Sequence, residues 1–539
     1  MKTLYVNGRV FTGQLPLQEA FAVENGLFCA VGSNHDILAL RAADDAVVDL
    51  KGRFVCPGFI DSHMHLLNYG SAMTRCDLTV CTDSIASLQR GLREFLATHE
   101  LAPGAWLGGR GWNQDYFTTG EGMPTRQDLD AVADDRPIVI VRCCGHCMVV
   151  NTYTLRLLGI DGTQPQPDGG HYDVDETGYP TGVFRDTAMS MIYPQIPAPT
   201  RAELKSMLLA AAAALNSYGV TSCHTDDLCA FENVPWTEVI AAYDELVAEN
   251  ALTVRVYEQS QFTTVSGLQE FLDAGYNTGV GTDMFRIGPL KLLGDGSLGA
   301  RTAYLSSDYA DAPGERGLAI FTQDEFDALI GLAHKSGMQV AIHAIGDGIL
   351  DRILDAYEKA FDAHPRADHR SGIVHVQITR PDQLERMRQM NLHAYIQSIF
   401  IDYDARIVRA RVGERADTSY AFHSMKASGM HVSNGTDCPV EFPNAMRGIE
   451  CAVTRTPVDG SCPAYRPEEA MSVEEALQSY TSESAHASFE ENVKGKIQPG
   501  MLADFTVLSA DPFAVPVHEL HTIVALETYL GGTQVYARM

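Results

Sequence analysis

Val55-Cys56-Pro57-Gly58-Phe59-Ile60-Asp61-Ser62-His63-Met64-His65 carries an apolar run into two histidines one residue apart. Residues two apart in a strand share a face, so both imidazoles can meet one ion. Two surface histidines also fall at this spacing by chance, so the rest of the chain has to decide.

From about residue 200 onward, short apolar runs alternate with helical stretches, the pattern of βα units around a parallel sheet buried on both faces. The runs predict strands at 220–223, 252–257, 287–293, 339–342, 372–374, 393–396 and 431–433. Helices are expected between them, for example at 201–217, 325–336, 380–390 and 473–486. With 54–60 the strands number eight, the count that closes a (β/α)₈ TIM barrel whose reacting groups stand at the C-terminal strand ends. The interval of about 70–200 is too long for a βα loop and reads as an insertion with structure of its own, expected over the barrel mouth. Both ends of the chain read as short strands and turns. Asn7-Gly8 and Asn25-Gly26 are hairpin signals near the start, and 503–508 and 534–536 are strands near the end. The two ends are expected to form one split domain. The divisions are 1–56, 57–487 with the insertion, and 488–539.

His343 follows Val340-Ala341-Ile342, His375 follows Gly372-Ile373-Val374, and Asp437 follows Val432-Ser433-Asn434-Gly435-Thr436. Each therefore falls where a strand ends on the barrel's reactive face. One histidine at a strand end is usually a hydrogen-bonded structural residue. Four histidines and a carboxylate on one face are costly unless they bind something, and together they point to a metal site. Lys291 lies within the apolar run 287–293, where an ammonium needs a partner. One reading pairs it with Asp295. The other has its neutral amine take up CO₂ as a carbamate between two metals. Asp295 and Asp347 read as helix N-caps. Arg415 reads either as a carboxylate binder or as a partner of Glu414 and Asp417.

With 40 Lys and Arg against 69 Asp and Glu, the net charge is −29, which repels phosphate backbones and argues against nucleic acid. The chain shows neither a leader nor an apolar stretch of spanning length, so a cytoplasmic protein without membrane contact is expected. The twelve cysteines are sparse and often sit in apolar runs, which suits reduced, buried thiols. Cys144-Gly145-His146-Cys147 spells C-x-x-C, but 148–151 reads as extended or turn instead of a helix start, and no second C-x-x-C completes a zinc site.

The order H-x-H, Lys291, His343, His375, Asp437 resembles the amidohydrolase superfamily. Within it the chain resembles the YtcJ-like (amidohydrolase 3) group, which includes N-substituted formamide deformylases. The motifs are Pro57-Gly58-Phe59-Ile60-Asp61-Ser62-His63-Met64-His65, Gly109-Arg110-Gly111-Trp112-Asn113-Gln114-Asp115, Lys291-Leu292-Leu293-Gly294-Asp295-Gly296-Ser297, Ile342-His343-Ala344-Ile345-Gly346-Asp347 and Thr436-Asp437-Cys438-Pro439-Val440. Cys438 departs from the small residue expected there. The resemblance implies that the two ends form a composite β-sandwich. It also implies one or two divalent ions, zinc first among them, on His63, His65, Lys291, His343, His375 and Asp437, and hydrolysis of an amide, formamide or related C–N bond of a small molecule.

On this reading a metal-bound hydroxide attacks, and Asp437 serves first as general base and then as general acid. His146 and Trp112, from the insertion, are candidates to polarise the substrate carbonyl, and equally candidates to pack the insertion's own core. Rival readings are a deaminase or cyclic amidase on the same site, and a metal-free scaffold, whose mark would be missing ligands. A homodimer is the default assembly.

Overall fold

The computed structural model describes residues 1–99, 101–102, 104–142, 147–167 and 170–539. Eight parallel strands form one sheet in chain order: Phe59–Met64, Val220–Thr225, Arg255–Gln261, Phe285–Leu293, Val340–Ala344, Gly372–His375, His393–Ile396 and Val432–Asn434. The eighth strand end bonds back to the first, with Asp437 N–H donating to the His63 carbonyl at 2.8 Å, so the barrel is nearly closed. Helices Arg201–Ser217, Gln323–Lys335 and Pro381–Gln389 fall where the periodicity puts them. Gln323–Lys335 opens with a reciprocal Thr322/Glu325 capping box, which satisfies two otherwise orphaned backbone donors.

The stretch 54–60, expected as one strand, is two. Phe54–Pro57 joins a five-stranded sheet with Arg9–Val10, Phe505–Leu508, Ala525–Leu530 and Thr533–Ala537, and the barrel begins only at Phe59. The break is Gly58, where a Cβ would stand 2.2 Å from the Thr221 hydroxyl, so any larger residue would have to displace the Thr221 side chain. Residues 473–486 are likewise two helices, Val473–Ser479 and Ser482–Ala487.

Asn25-Gly26 makes the expected hairpin, both residues with positive φ, between Ala20–Glu24 and Leu27–Gly32. Asn7-Gly8 does not. Thr3–Val6 pairs with Ala20–Glu24 and Ala46–Asp49, whereas Arg9–Val10 pairs with Phe54–Pro57, so this turn hands the chain from the four-stranded sheet to the five-stranded one.

The two terminal sheets share one core, in which Tyr5, Phe21 and Phe28 from the start pack with Phe505 and Tyr529 from the end. This is the composite β-sandwich. Arg255, at the start of the third barrel strand, forks onto Asp504 beside it through bonds of 2.6 and 3.0 Å, with both side chains buried.

Residues 68–207, with 231–234, form a separate compact unit. Its six-stranded sheet runs Gly170–Val174, Pro180–Asp186, Cys147–Val150, Ile138–Arg142, Leu107–Trp112, Cys76–Asp77. Apolar clusters lie on both of its faces, so the insertion has a core of its own. Among the described residues no helix is long and apolar enough to cross a membrane.

Candidate metal centre

The first barrel strand delivers His63, and His65 follows directly after its end. The Nε2 atoms of both turn toward Asp437, at 3.3 Å and 3.0 Å from its Oδ1. Each Nδ1 is spent elsewhere. That of His63 donates to Gln259 Oε1 at 2.7 Å, and that of His65 donates to Asp226 Oδ1. The amide of Gln259 is itself fixed, because its Nε2 donates to the Ser62 carbonyl at 3.2 Å.

With Nδ1 carrying the proton, each Nε2 presents a lone pair. Two imidazole nitrogens and a carboxylate oxygen therefore converge, their ligand atoms within 4.8 Å of one another, with Lys291 Nζ 3.4 Å from His63 Nε2. Such a triad is unfavourable unless a cation or an extra proton enters it. Burial alone lowers the His65 pKa, but Asp226 and Asp437 outweigh it and push the imidazole up to about 10, so the site attracts positive charge. The donor set and its approach fit a divalent transition metal.

Lys291, fully buried in the fourth strand, brings Nζ to 3.4 Å from His63 Nε2 and 3.5 Å from Asp226 Oδ2. Its acidic partner is therefore Asp226. Asp295, the partner considered from spacing, instead accepts N–H bonds from Ile345 (3.0 Å), Gly346 and Tyr304 (2.8 Å each). It braces the loops after the fourth and fifth strands and caps no helix.

His343 and His375 end the fifth and sixth strands, with rings 4.3 Å apart, and His375 lies 5.8 Å from the ring of His63. His343 Nε2 donates to the Gly296 carbonyl at 3.0 Å. Among the described residues, His375 Nδ1 has no hydrogen-bond partner although it is buried. Burial, reinforced by neighbouring His343, drives the His375 pKa well down and keeps the ring neutral, the form that ligates metal. His375 and Asp437 both adopt left-handed backbone (φ 78° and 59°), local strain of the kind that collects at functional sites.

The structure thus brings His63, His65, Lys291, His343, His375 and Asp437 to one end of the barrel. Trp112 is fully buried among Leu78, Leu107, Ile138 and Ile140 in the insertion's own core. His146, with Cys144 and Gly145, lies outside the described residues. Cys56, Cys223 and Cys438 are buried free thiols, as expected. Asp347 is the first residue of its helix, not its cap, and takes the Ser306 backbone N–H at 3.0 Å. Arg415 spends its guanidinium on the carbonyls of Ser307 and Asp308 and approaches Asp347 at 3.7 Å.

Sequence reasoning missed three residues. Asp226 and Gln259 hold the two histidines, and Asp61 accepts the N–H groups of His63 (3.2 Å) and Thr436 (3.0 Å), locking the first strand end to the eighth. Burial pushes the Asp61 carboxyl up to about 7 despite these bonds.

A known family pattern, described as the amidohydrolase family, matches residues 46–536. The chain belongs to the amidohydrolase family. This amidohydrolase is 31% identical to YtcJ of Bacillus subtilis over the full length of both proteins. It is 25% identical to the N-substituted formamide deformylase of Arthrobacter pascens, across 99% of this chain and 97% of that one. A solved metal-dependent hydrolase from Pyrococcus horikoshii superposes with a TM-score of 0.79 at 28% identity, covering 96% of this amidohydrolase and 99% of that chain.

Proposed function

We propose that this amidohydrolase hydrolyses a non-peptide C–N bond, an amide, formamide or related group, in a small molecule. A divalent cation, zinc first among the candidates, would be held by His63, His65 and Asp437, with His343 and His375 beside it. The observation that carries this reading is the convergence of His63 Nε2, His65 Nε2 and Asp437 Oδ1, whose ligand atoms lie within 4.8 Å of one another.

A bound cation of this kind lowers the pKa of coordinated water from about 15.7 to about 7 and polarises a carbonyl. Asp437 Oδ1, placed at the same point, takes the proton of the attacking water and returns it to the leaving nitrogen. Asp61 and its Thr436 bonds fix the loop that carries Asp437. A second cation requires Lys291 to bind CO₂ as a carbamate, which in turn means giving up its pairing with Asp226. A Lys291 carbamate would supply a further anionic ligand, and His343 and His375 are the residues that would hold the second cation with it.

The test is elemental analysis of the purified protein, followed by turnover on a panel of formamides, acyl amides and cyclic amides before and after chelation. Stoichiometric zinc, and activity that chelator removes and zinc restores, are expected. A protein without a stoichiometric transition metal that binds none on titration ends this reading and favours a metal-free scaffold.

A further inference from the structure

We propose that Asp226 is a positioning residue that sets the affinity of the metal site by clamping His65 and Lys291 at once, an inference that rests on the cation reading above.

Asp226 stands just past the second barrel strand and is 2% exposed. A buried carboxylate needs partners, and Lys291 alone would serve as a plain ion pair. The structure divides the two oxygens instead. Oδ1 accepts a hydrogen bond from His65 Nδ1, and Oδ2 faces Lys291 Nζ at 3.5 Å. One side chain therefore ties together the ends of the first, second and fourth strands, on the side of the site where His65 must present Nε2.

The neighbouring acids hold other groups. Asp227 serves Tyr243, Thr225 and the Leu67 N–H, and Glu258 accepts the Asp227 and Leu228 N–H groups. Among the described residues neither replaces Asp226 at His65.

An anionic acceptor on Nδ1 does two things for a ligand. It holds the ring in the tautomer whose Nε2 is free, and it raises the electron density on that nitrogen. The partner histidine provides the contrast, since His63 has the neutral Gln259 in the equivalent role. His65 is thereby the stronger donor of the pair, and its strength is borrowed from Asp226.

The experiment titrates Zn²⁺ into metal-stripped full-length protein against a competing chelator for wild type, Asp226→Asn and Asp226→Ala, with the melting temperature of each apo form recorded. Asp226→Ala is expected to weaken zinc binding by about 10–100-fold. Asp226→Asn keeps an oxygen to accept from Nδ1 but loses the charge, so it should recover most of that loss and remain roughly 3–10-fold weaker than wild type. Wild-type affinity in a folded Asp226→Ala protein, or an equal loss in both variants, overturns the proposal. Should Asp226→Ala fail to fold, Asp226→Asn decides alone: a drop of threefold or more supports the clamp and an unchanged affinity refutes it. Failure of wild type to bind zinc at all is a different result, which ends the cation reading itself.

Discussion

The two sides of the metal centre are built differently. On the side of the first strand, every non-ligating nitrogen has an assigned partner: Gln259 for His63 and Asp226 for His65. On the side of the fifth and sixth strands, His343 Nε2 is shared between the Gly296 carbonyl at 3.0 Å and Asp295 Oδ1 at 3.3 Å, and among the described residues His375 leaves a buried Nδ1 with no partner. The first side is oriented before any ion arrives. The second keeps unused donor capacity, and a buried nitrogen of that kind is tolerated where something is to be bound. The contrast suggests a division of labour, with His63 and His65 providing affinity and His343 and His375 providing room for a second ion or for the substrate carbonyl.

The largest expected effect lies where the two sides meet, at Asp437. Asp437→Asn keeps an oxygen near both Nε2 atoms but cannot carry a proton, so kcat should fall by roughly 10²–10⁴-fold. Zinc content by elemental analysis should stay near that of wild type. Full turnover in this variant would remove Asp437 from the chemistry and leave it as a ligand alone.

Next come the histidines. His65→Ala should lose zinc by more than the roughly 10–100-fold typical of an outer partner, whereas His343→Ala should retain one equivalent and lose activity. Dialysis against weak chelator followed by metal counting separates the two. Equal loss from both would erase the asymmetry between the sides.

A third effect is on stability. A cation that binds only the folded chain adds about 2.7 kcal/mol when its free concentration is one hundred times Kd. Chelation should therefore lower the melting temperature of wild type and leave that of His65→Ala unmoved. An identical shift in both would place the stabilising ion elsewhere.

The barrel was legible because its strands end in chemistry. Val340-Ala341-Ile342-His343 and Gly372-Ile373-Val374-His375 each announce an apolar strand and the residue it delivers. The border at Gly58 was not legible, since an unbroken apolar run gives no sign that the chain changes sheets. Only the Thr221 hydroxyl, 2.2 Å from where a Cβ would stand, reveals it. Asp226 lies three residues past the run 220–223, after His224 and Thr225 and before Asp227, where one more acid looks like part of a loop. Its meaning lies 161 residues away, at His65. Gln259 is harder still. In Tyr257-Glu258-Gln259-Ser260-Gln261 nothing but alternation marks the inward face, and that face holds both Tyr257, bonded to Gln339, and Gln259, bonded to His63.

Gln259 therefore supplies the smallest and most discriminating perturbation. Gln259→Leu keeps much of the volume and the burial but leaves His63 Nδ1 without its acceptor. A neutral amide oxygen contributes less than a carboxylate, roughly 1 kcal/mol for an ordinary hydrogen bond against 1.5–3 for one to a charged group. Zinc affinity should therefore fall only about fivefold, less than for Asp226→Ala, in the same chelator competition. Should Gln259→Leu instead weaken binding more than Asp226→Ala, His63 and not His65 would be the ligand whose orientation limits the site, and the charge on Asp226 would be there for Lys291 alone.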